Sequence, residues 1–237
     1  MDLGLTLLKI GEEAVVDLTR FSLEGSNRKR LRNTRADVGK RGGATAEVLL
    51  PSAVPALLPA LRCISDEWLE SKSVREKGFS LGYFDETYLS NFSVAVVRVN
   101  GEIAAFANLW LAADRAEVSV DLMRYTSQAP QGVMEFMFIE MLLWAKAEGY
   151  QRFSLGVAPL AGLEARTLAP FWSRAGAFLY QHGEHFYNFK GLRLYKNKFD
   201  PEWEPRYLAS PGGLVLPRVL ANVASLISGG LRGVMAK

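Results

Sequence analysis

Glu117-Val-Ser-Val-Asp-Leu-Met-Arg124 alternates polar and apolar side chains, and Tyr125-Thr-Ser-Gln-Ala-Pro-Gln-Gly132 follows with turn residues. An apolar run then extends from Val133 to about Glu148, Gly149 stops it, and Gln151-Arg-Phe-Ser-Leu-Gly-Val157 reads as a second strand. Strand, helix-length crossover and strand make a βαβ unit, whose strands are most simply parallel. The helix is apolar nearly all round, through Val133, Met134, Phe136, Met137, Phe138, Ile139, Met141, Leu142, Leu143 and Trp144. Such a helix is buried on several sides. It is not a membrane span, because the run is shorter than about 18 residues and is broken by Glu135, Glu140 and Lys146.

Alternation predicts Val118, Val120 and Leu122 on one face of the strand and Glu117, Ser119 and Asp121 on the other. Arg124 closes the strand at its carboxyl end, where open α/β sheets carry their ligand crevice. Asp121 and Arg124 are therefore the candidate chemical pair, although spacing alone describes a structural ion pair better.

Working outward, the 237 residues allow one large domain or a domain with appendages, and 49% hydrophobic against 22% charged residues marks an ordinary globular chain. The single cysteine, Cys63, excludes an internal disulfide framework and a Cys-based metal site. His182 and His185 lack organised acidic partners, so no metal is expected. Met1-Asp2 lacks the basic start of a signal peptide. Net charge is only +3, yet Arg28, Lys29, Arg30, Arg32, Arg35, Lys40 and Arg41 cluster around the lone acid Asp37. Such a cluster reads as an electrostatic footprint for nucleic acid or anionic lipid, with a solvated helix face as the plainer alternative.

Leu5–Ile10 and Ala14–Leu18, separated by Gly11-Glu12-Glu13, predict a β-hairpin. Phe21 to about Val38 predicts the basic helix, with Ser22 as its N-cap, and Ala46–Leu50 a short strand. Pro51 and Pro55 open a helix continuing toward Leu69, and a short helical turn is expected at Asp85–Ser90. Ser93–Val99 and Ile103–Trp110 flank Asn100-Gly101, a strong hairpin signal because both residues accept positive φ. A helix from Gly162 to Ala175, a strand at Phe178–Tyr187 and a weakly amphipathic helix over Val215–Met235 complete the reading.

This order of elements is similar to the acetyltransferase-like (GNAT) fold, a mixed α/β or α+β sheet with a central βαβ unit. The turn Gln128-Ala-Pro-Gln-Gly132 does not supply that fold's coenzyme A pyrophosphate motif. More specifically, the chain resembles the carboxyl-terminal catalytic region of aminoacyl-phosphatidylglycerol synthases, the multiple peptide resistance factor family. The resemblance rests on Phe21-Ser-Leu-Glu-Gly25, Gly82-Tyr-Phe-Asp85, Ala105-Phe-Ala-Asn-Leu-Trp110 and Ser119-Val-Asp-Leu-Met-Arg124. It continues in Ala129-Pro-Gln-Gly-Val-Met134, Gly183-Glu-His-Phe-Tyr-Asn-Phe189, Lys198-Phe-Asp-Pro201 and Pro205-Arg-Tyr-Leu208.

The resemblance implies transfer of lysine or alanine from aminoacyl-tRNA to a glycerol hydroxyl of phosphatidylglycerol, with no cofactor. It also implies antimicrobial-peptide resistance as the outcome, an upstream membrane-spanning domain, and work at the cytoplasmic membrane face. Residues 1–20 would then be a hairpin remnant of a preceding acyltransferase-like domain, 21–43 a bridging basic helix, 44–212 the catalytic domain and 213–237 a final helix. The resemblance raises Asp121 as base or orienter and Arg124 as the holder of negative charge. Glu184 would bind the α-amino group, and Lys196, with Arg193 and Lys198, would contact tRNA or lipid phosphate. A coenzyme A-dependent or peptide-modifying acyltransferase, or a non-catalytic RNA- or membrane-binding module, stays open.

Overall fold

The structure, a computed structural model, describes residues 4–72, 82–162 and 189–211, with positions 215, 218, 219 and 222 beyond them. The chain opens with β1 (Thr6–Asp17), a 3-10 turn (Ser26–Arg28), α1 (Lys29–Arg35), a π-helical turn (Ala36–Arg41) and β2 (Ala44–Leu49). A second 3-10 turn (Pro51–Leu57) leads into α2 (Leu58–Lys72), followed by α3 (Glu86–Leu89), β3 (Ser93–Val99), β4 (Glu102–Leu111) and β5 (Glu117–Tyr125). Then come α4 (Val133–Ala147), β6 (Arg152–Pro159), α5 (Phe189–Asn197) and β7 (Glu202–Ser210). The expected helix at Gly162–Ala175 beyond Gly162, the strand at Phe178–Tyr187 and most of the C-terminal helix lie outside the described residues.

The chain divides into two compact units, at Val16/Asp17 within β1 and at Phe153/Ser154 within β6. The boundaries expected at 20/21 and 43/44 do not coincide with this division. In the larger unit β2, β3, β4 and β5 form an antiparallel meander in that order. Its β3–β4 turn is Asn100-Gly101, at φ 53 and 87. On one side Val94, Val96, Phe106 and Leu122 pack on Leu61 and Ile64 of α2, with Phe84 and Leu89. On the other, Met137, Met141 and Trp144 of α4 share a cavity of about 280 Å³ with Ala46, Val48 and Ala95. The start of β6 lies beside the start of β5, since the N–H groups of Gln151 and Arg152 donate to Arg115 O and Ala116 O. The paired residues rise together along both chains, as parallel strands require, so the mixed, acetyltransferase-like βαβ core is present.

Strict alternation along β5 fails at one place. Ala107 pairs with Met123 and Leu109 with Val120, which leaves Asp121 and Leu122 both opposite Asn108. This is a β-bulge, and it turns two consecutive side chains to one side. Leu122 joins the α2 core and Asp121 reaches Tyr88 of α3, so these two share a face instead of opposing each other. The backbone N–H of Leu122 donates to the side-chain Oδ1 of fully buried Asn108 at 2.7 Å.

In the smaller unit β1 lies between β6 and β7 and pairs antiparallel with β7 from Thr6↔Ser210 to Val15↔Glu202. The expected hairpin at Gly11-Glu12-Glu13 is therefore absent, and β1 runs straight through it as one strand with an irregularity between Lys9 and Gly11. Gly11 is required by close approach, because a Cβ there would sit 2.5 Å from the backbone oxygen of Ala158. Glu12 and Glu13 are charge partners rather than turn residues: Glu12 meets Lys9 and Arg193, and Glu13 meets Arg206 and Ser154. Gly11→Ala should consequently destabilise the chain by about 1–3 kcal/mol through backbone displacement. Urea denaturation checks this, and a neutral substitution would mean that Gly11 is not clamped against β6.

Candidate active site

The bulged end of β5 sets the site in the larger unit. Asp121 is half-buried, and its Oδ2 accepts the Tyr88 hydroxyl at 2.6 Å. The Trp110 indole N–H in turn donates to the Tyr88 oxygen at 2.9 Å. Burial foremost, then the hydrogen bond to Asp121, push the Tyr88 phenol up to about 12, against the lowering contact from Trp110. Gly82 borders the same carboxylate so closely that a Cβ would lie 2.7 Å from its oxygens.

Arg124 falls on the same side of the sheet as Asp121, opposite Phe106 in register. Its guanidinium lies 4.3 Å from the Trp68 ring centroid of α2 and donates to Met123 O at 2.9 Å. An Arg stacked on an indole keeps its charge while its fork is held in one plane. The adjacent Glu67 accepts from the Ser127 N–H at 2.7 Å and from its hydroxyl at 2.5 Å, tying α2 to the turn after β5. These contacts with Ser127 hold the Glu67 carboxyl below its ordinary range.

In the smaller unit Lys196 of α5 is only 7% exposed. Its ammonium donates to Gly156 O at 2.9 Å and Val157 O at 3.0 Å, where Gly156 adopts φ 82. Burial lowers this ammonium to about 8, against the opposing pull of Glu13. The group expected to meet a phosphate is thus bonded to the β6 backbone. Arg193 pairs with Glu12 and lies 4.2 Å from the Trp203 ring centroid, while Lys198 lies 4.7 Å from that of Tyr195. Burial alone would push the Glu12 carboxyl up, but Lys9 and Arg193 together hold it below its ordinary value. Glu184, His182 and His185 lie outside the described residues.

The basic stretch is a broken helix rather than one continuous helix from Phe21, and much of its charge is engaged internally. Its start is delayed to Ser26 because Ser22 accepts from the Glu24 N–H instead of capping a helix. Arg32 donates to Leu23 O and Gly25 O at 2.5 and 2.7 Å, Arg35 pairs with Glu140 at 2.5 Å, and Arg41 pairs with Asp37. Arg28 lies over Phe21 at 5.5 Å. Lys29, Arg30 and Lys40 project outward, exposed. Among the described residues no cluster of His, Cys, Asp and Glu could hold a metal ion, and no helix is long and apolar enough to cross a membrane.

Asp121 and Arg124 stand out in the sequence, whereas Tyr88, Trp110, Asn108 and Trp68 do not. The signals were the strings Gly82-Tyr-Phe-Asp85 and Ala105–Trp110, which contain or flank three of them without indicating what each side chain touches.

A carboxylate and a stacked guanidinium lie on one side of the carboxyl end of a βαβ strand, on a mixed sheet that places the chain in the acetyltransferase-like fold class. Comparison with known proteins narrows this. The sequence model of the family "Phosphatidylglycerol lysyltransferase, C-terminal" matches residues 1–210, and the chain belongs to that family. The phosphatidylglycerol lysyltransferase of Bacillus subtilis (strain 168) is 45% identical over 212 residues, covering 88% of this chain and 24% of that protein. The chain thus spans about a quarter of the length of the curated relatives it matches. A C-terminal domain from Agrobacterium fabrum assigned to a lysylphosphatidylglycerol synthetase superposes with TM-score 0.84 at 44% identity, over 98% of this chain and 70% of that one. L-PGS from Bacillus licheniformis gives 0.79 at 38% identity, over 95% and 68%.

Lys196 makes stability depend on pH in a definite sense. Between about 8 and its ordinary 10.5 the unfolded chain holds this proton and the folded chain does not, so stability from this group rises with pH across that window. The stability of the unaltered chain relative to Lys196→Met should therefore increase on going from neutral to alkaline pH. Urea melts of both at a series of pH values check this, and a pH-independent difference would place the Lys196 titration outside the window.

Proposed function

We propose that this chain is the carboxyl-terminal part of an enzyme that moves a lysyl group from lysyl-tRNA to a glycerol hydroxyl of phosphatidylglycerol. The reading is supported by family membership and carried by one observation, the half-buried Asp121 carboxylate fixed on the β5 bulge on the same side as Arg124. The donor ester is already activated, so the transfer is an exchange of esters and consumes no further energy source. The lipid hydroxyl oxygen attacks the ester carbonyl while Asp121 takes its proton, and the carbonyl oxygen becomes an oxyanion. Arg124 stabilises that negative charge. Collapse of the tetrahedral species breaks the bond to the tRNA ribose oxygen, which recovers the proton from Asp121. Glu184 holds the α-amino group, and no cofactor is called for.

The exposed Lys29, Arg30 and Lys40 supply long-range attraction to tRNA or an anionic bilayer. A reaction on phosphatidylglycerol with a tRNA donor takes place at the cytoplasmic membrane face, in a longer protein whose other parts anchor it. Adding lysine to this lipid makes the membrane surface less negative, which lowers its attraction for cationic antimicrobial peptides. Alanine is the competing amino acid.

Labelled lysine and alanine, each supplied on its tRNA with phosphatidylglycerol vesicles, should show lysyl-lipid formation by this chain or by a form extended upstream. Asp121→Ala should lower the rate on the order of 10²–10⁴-fold, as for loss of a general base, and Arg124→Ala should also lower it strongly, without loss of the fold. Alanyl transfer would change the amino acid, and no transfer by either form with folded protein would leave a binding module or another donor.

A further inference from the structure

Asp121 Oδ2 is bonded to Tyr88, whereas Oδ1 has no partner among the described residues. The order of donors decides what this means. An indole N–H can only donate, so Trp110 occupies the Tyr88 oxygen as an acceptor, and the phenol's own proton is directed at the carboxylate. Both ends of the relay are held. Tyr88 sits on α3, whose N-cap Asp85 accepts the Tyr88 N–H at 2.6 Å. Its ring lies against Phe92 with centroids 4.7 Å apart and is stacked with Tyr83 at 6.4 Å. Asp121 is held from behind by the bulge, through the Leu122–Asn108 bond, and from the side by Gly82.

We infer that Tyr88 is the positioning residue for Asp121: oriented by Trp110, it fixes Oδ2 and leaves Oδ1 to take the proton of the acceptor hydroxyl. This rests on the transfer reaction proposed above. Tyr88 does not touch substrate; it acts by holding one carboxylate rotamer in register with the reacting oxygen. The raised phenol keeps its proton at every pH at which the enzyme would work, so the donor is never lost by titration.

The consequence is a defect in turnover rather than in binding. Tyr88→Phe keeps the ring and its packing but removes the donor, and kcat should fall on the order of 10- to 100-fold with KM little changed, the size expected for a misplaced catalytic group. Trp110→Phe should shift kcat the same way by less. In an Asp121→Asn background, single-turnover measurements should show Tyr88→Phe costing nothing further, because its effect passes through the carboxylate. Independent additive losses, or a rise in KM alone, would overturn the inference.

A second measurement needs no turnover. With tyrosine labelled at the Cζ carbon, NMR should show Tyr88 titrating at about 12 in the unaltered chain and moving part of the way down in Asp121→Asn, burial keeping it raised. An unchanged Tyr88 titration would break the link. Absence of transfer in every form would defeat the proposed reaction, while the NMR result would still decide whether Tyr88 and Asp121 are coupled.

Discussion

A single backbone N–H, that of Leu122, governs how the larger unit presents its chemistry. A bulge removes this donor from the ladder inside the core, where an unmet polar group costs about 1–3 kcal/mol. The side-chain oxygen of Asn108 accepts it at 2.7 Å from a fully buried position. With that bond made, Leu122 enters the α2 core and its neighbour Asp121 faces the same way. Without the bulge, burying Leu122 would send Asp121 to the opposite face, against α4. The carboxylate would then be separated by the sheet from Tyr88 and from Arg124. One buried amide therefore lets a core position and a candidate site position occupy consecutive residues.

The same economy governs the cations. An Arg pairs well with a carboxylate or an aromatic face, and both are abundant beside the basic residues of this chain. Arg35 takes Glu140, Arg41 takes Asp37, and Arg193 takes Glu12 together with Trp203. A guanidinium so engaged must exchange partners before it serves a phosphate, which reduces its contribution to long-range attraction. Under the proposed function the basic stretch would act chiefly through the exposed Lys29, Arg30 and Lys40. The pairing of Arg35 with Glu140, and of Thr34 with buried Glu135 at 2.8 Å, instead fastens this stretch to α4.

What could be read from the sequence was local. Asn100-Gly101 specified the β3–β4 hairpin because left-handed backbone is a property of those two residues. Val133 to Glu148 specified α4 because an all-round apolar run of that length has few other uses, and the short helical turn expected at Asp85–Ser90 is α3. What could not be read depended on residues distant in sequence. The β5 bulge is defined only by the register of β4, so alternation along Glu117–Arg124 gave the right faces up to Val120 and the wrong one for Leu122. Gly11-Glu12-Glu13 looks like a turn until Ala158 is seen against Gly11 and Arg193 and Arg206 against the acids. Tyr88 precedes Asp121 by 33 residues, and no spacing rule connects them.

Lys196 shows why a residue singled out by resemblance still has to be read in place. Its charge is almost wholly removed from water, and desolvation favours its neutral form. What compensates is a pair of carbonyl oxygens, those of Gly156 and Val157, turned toward one ammonium where β6 passes through the left-handed conformation of Gly156. A side chain without N–H donors at position 196 would leave both oxygens without this partner, so the lysine shapes β6 whether or not it meets a substrate. Loss of activity on replacing Lys196 would for this reason not identify a catalytic contact. Asp121 differs: one carboxylate oxygen is committed to Tyr88 and the other has no described partner, so its chemistry can be separated from its part in the fold.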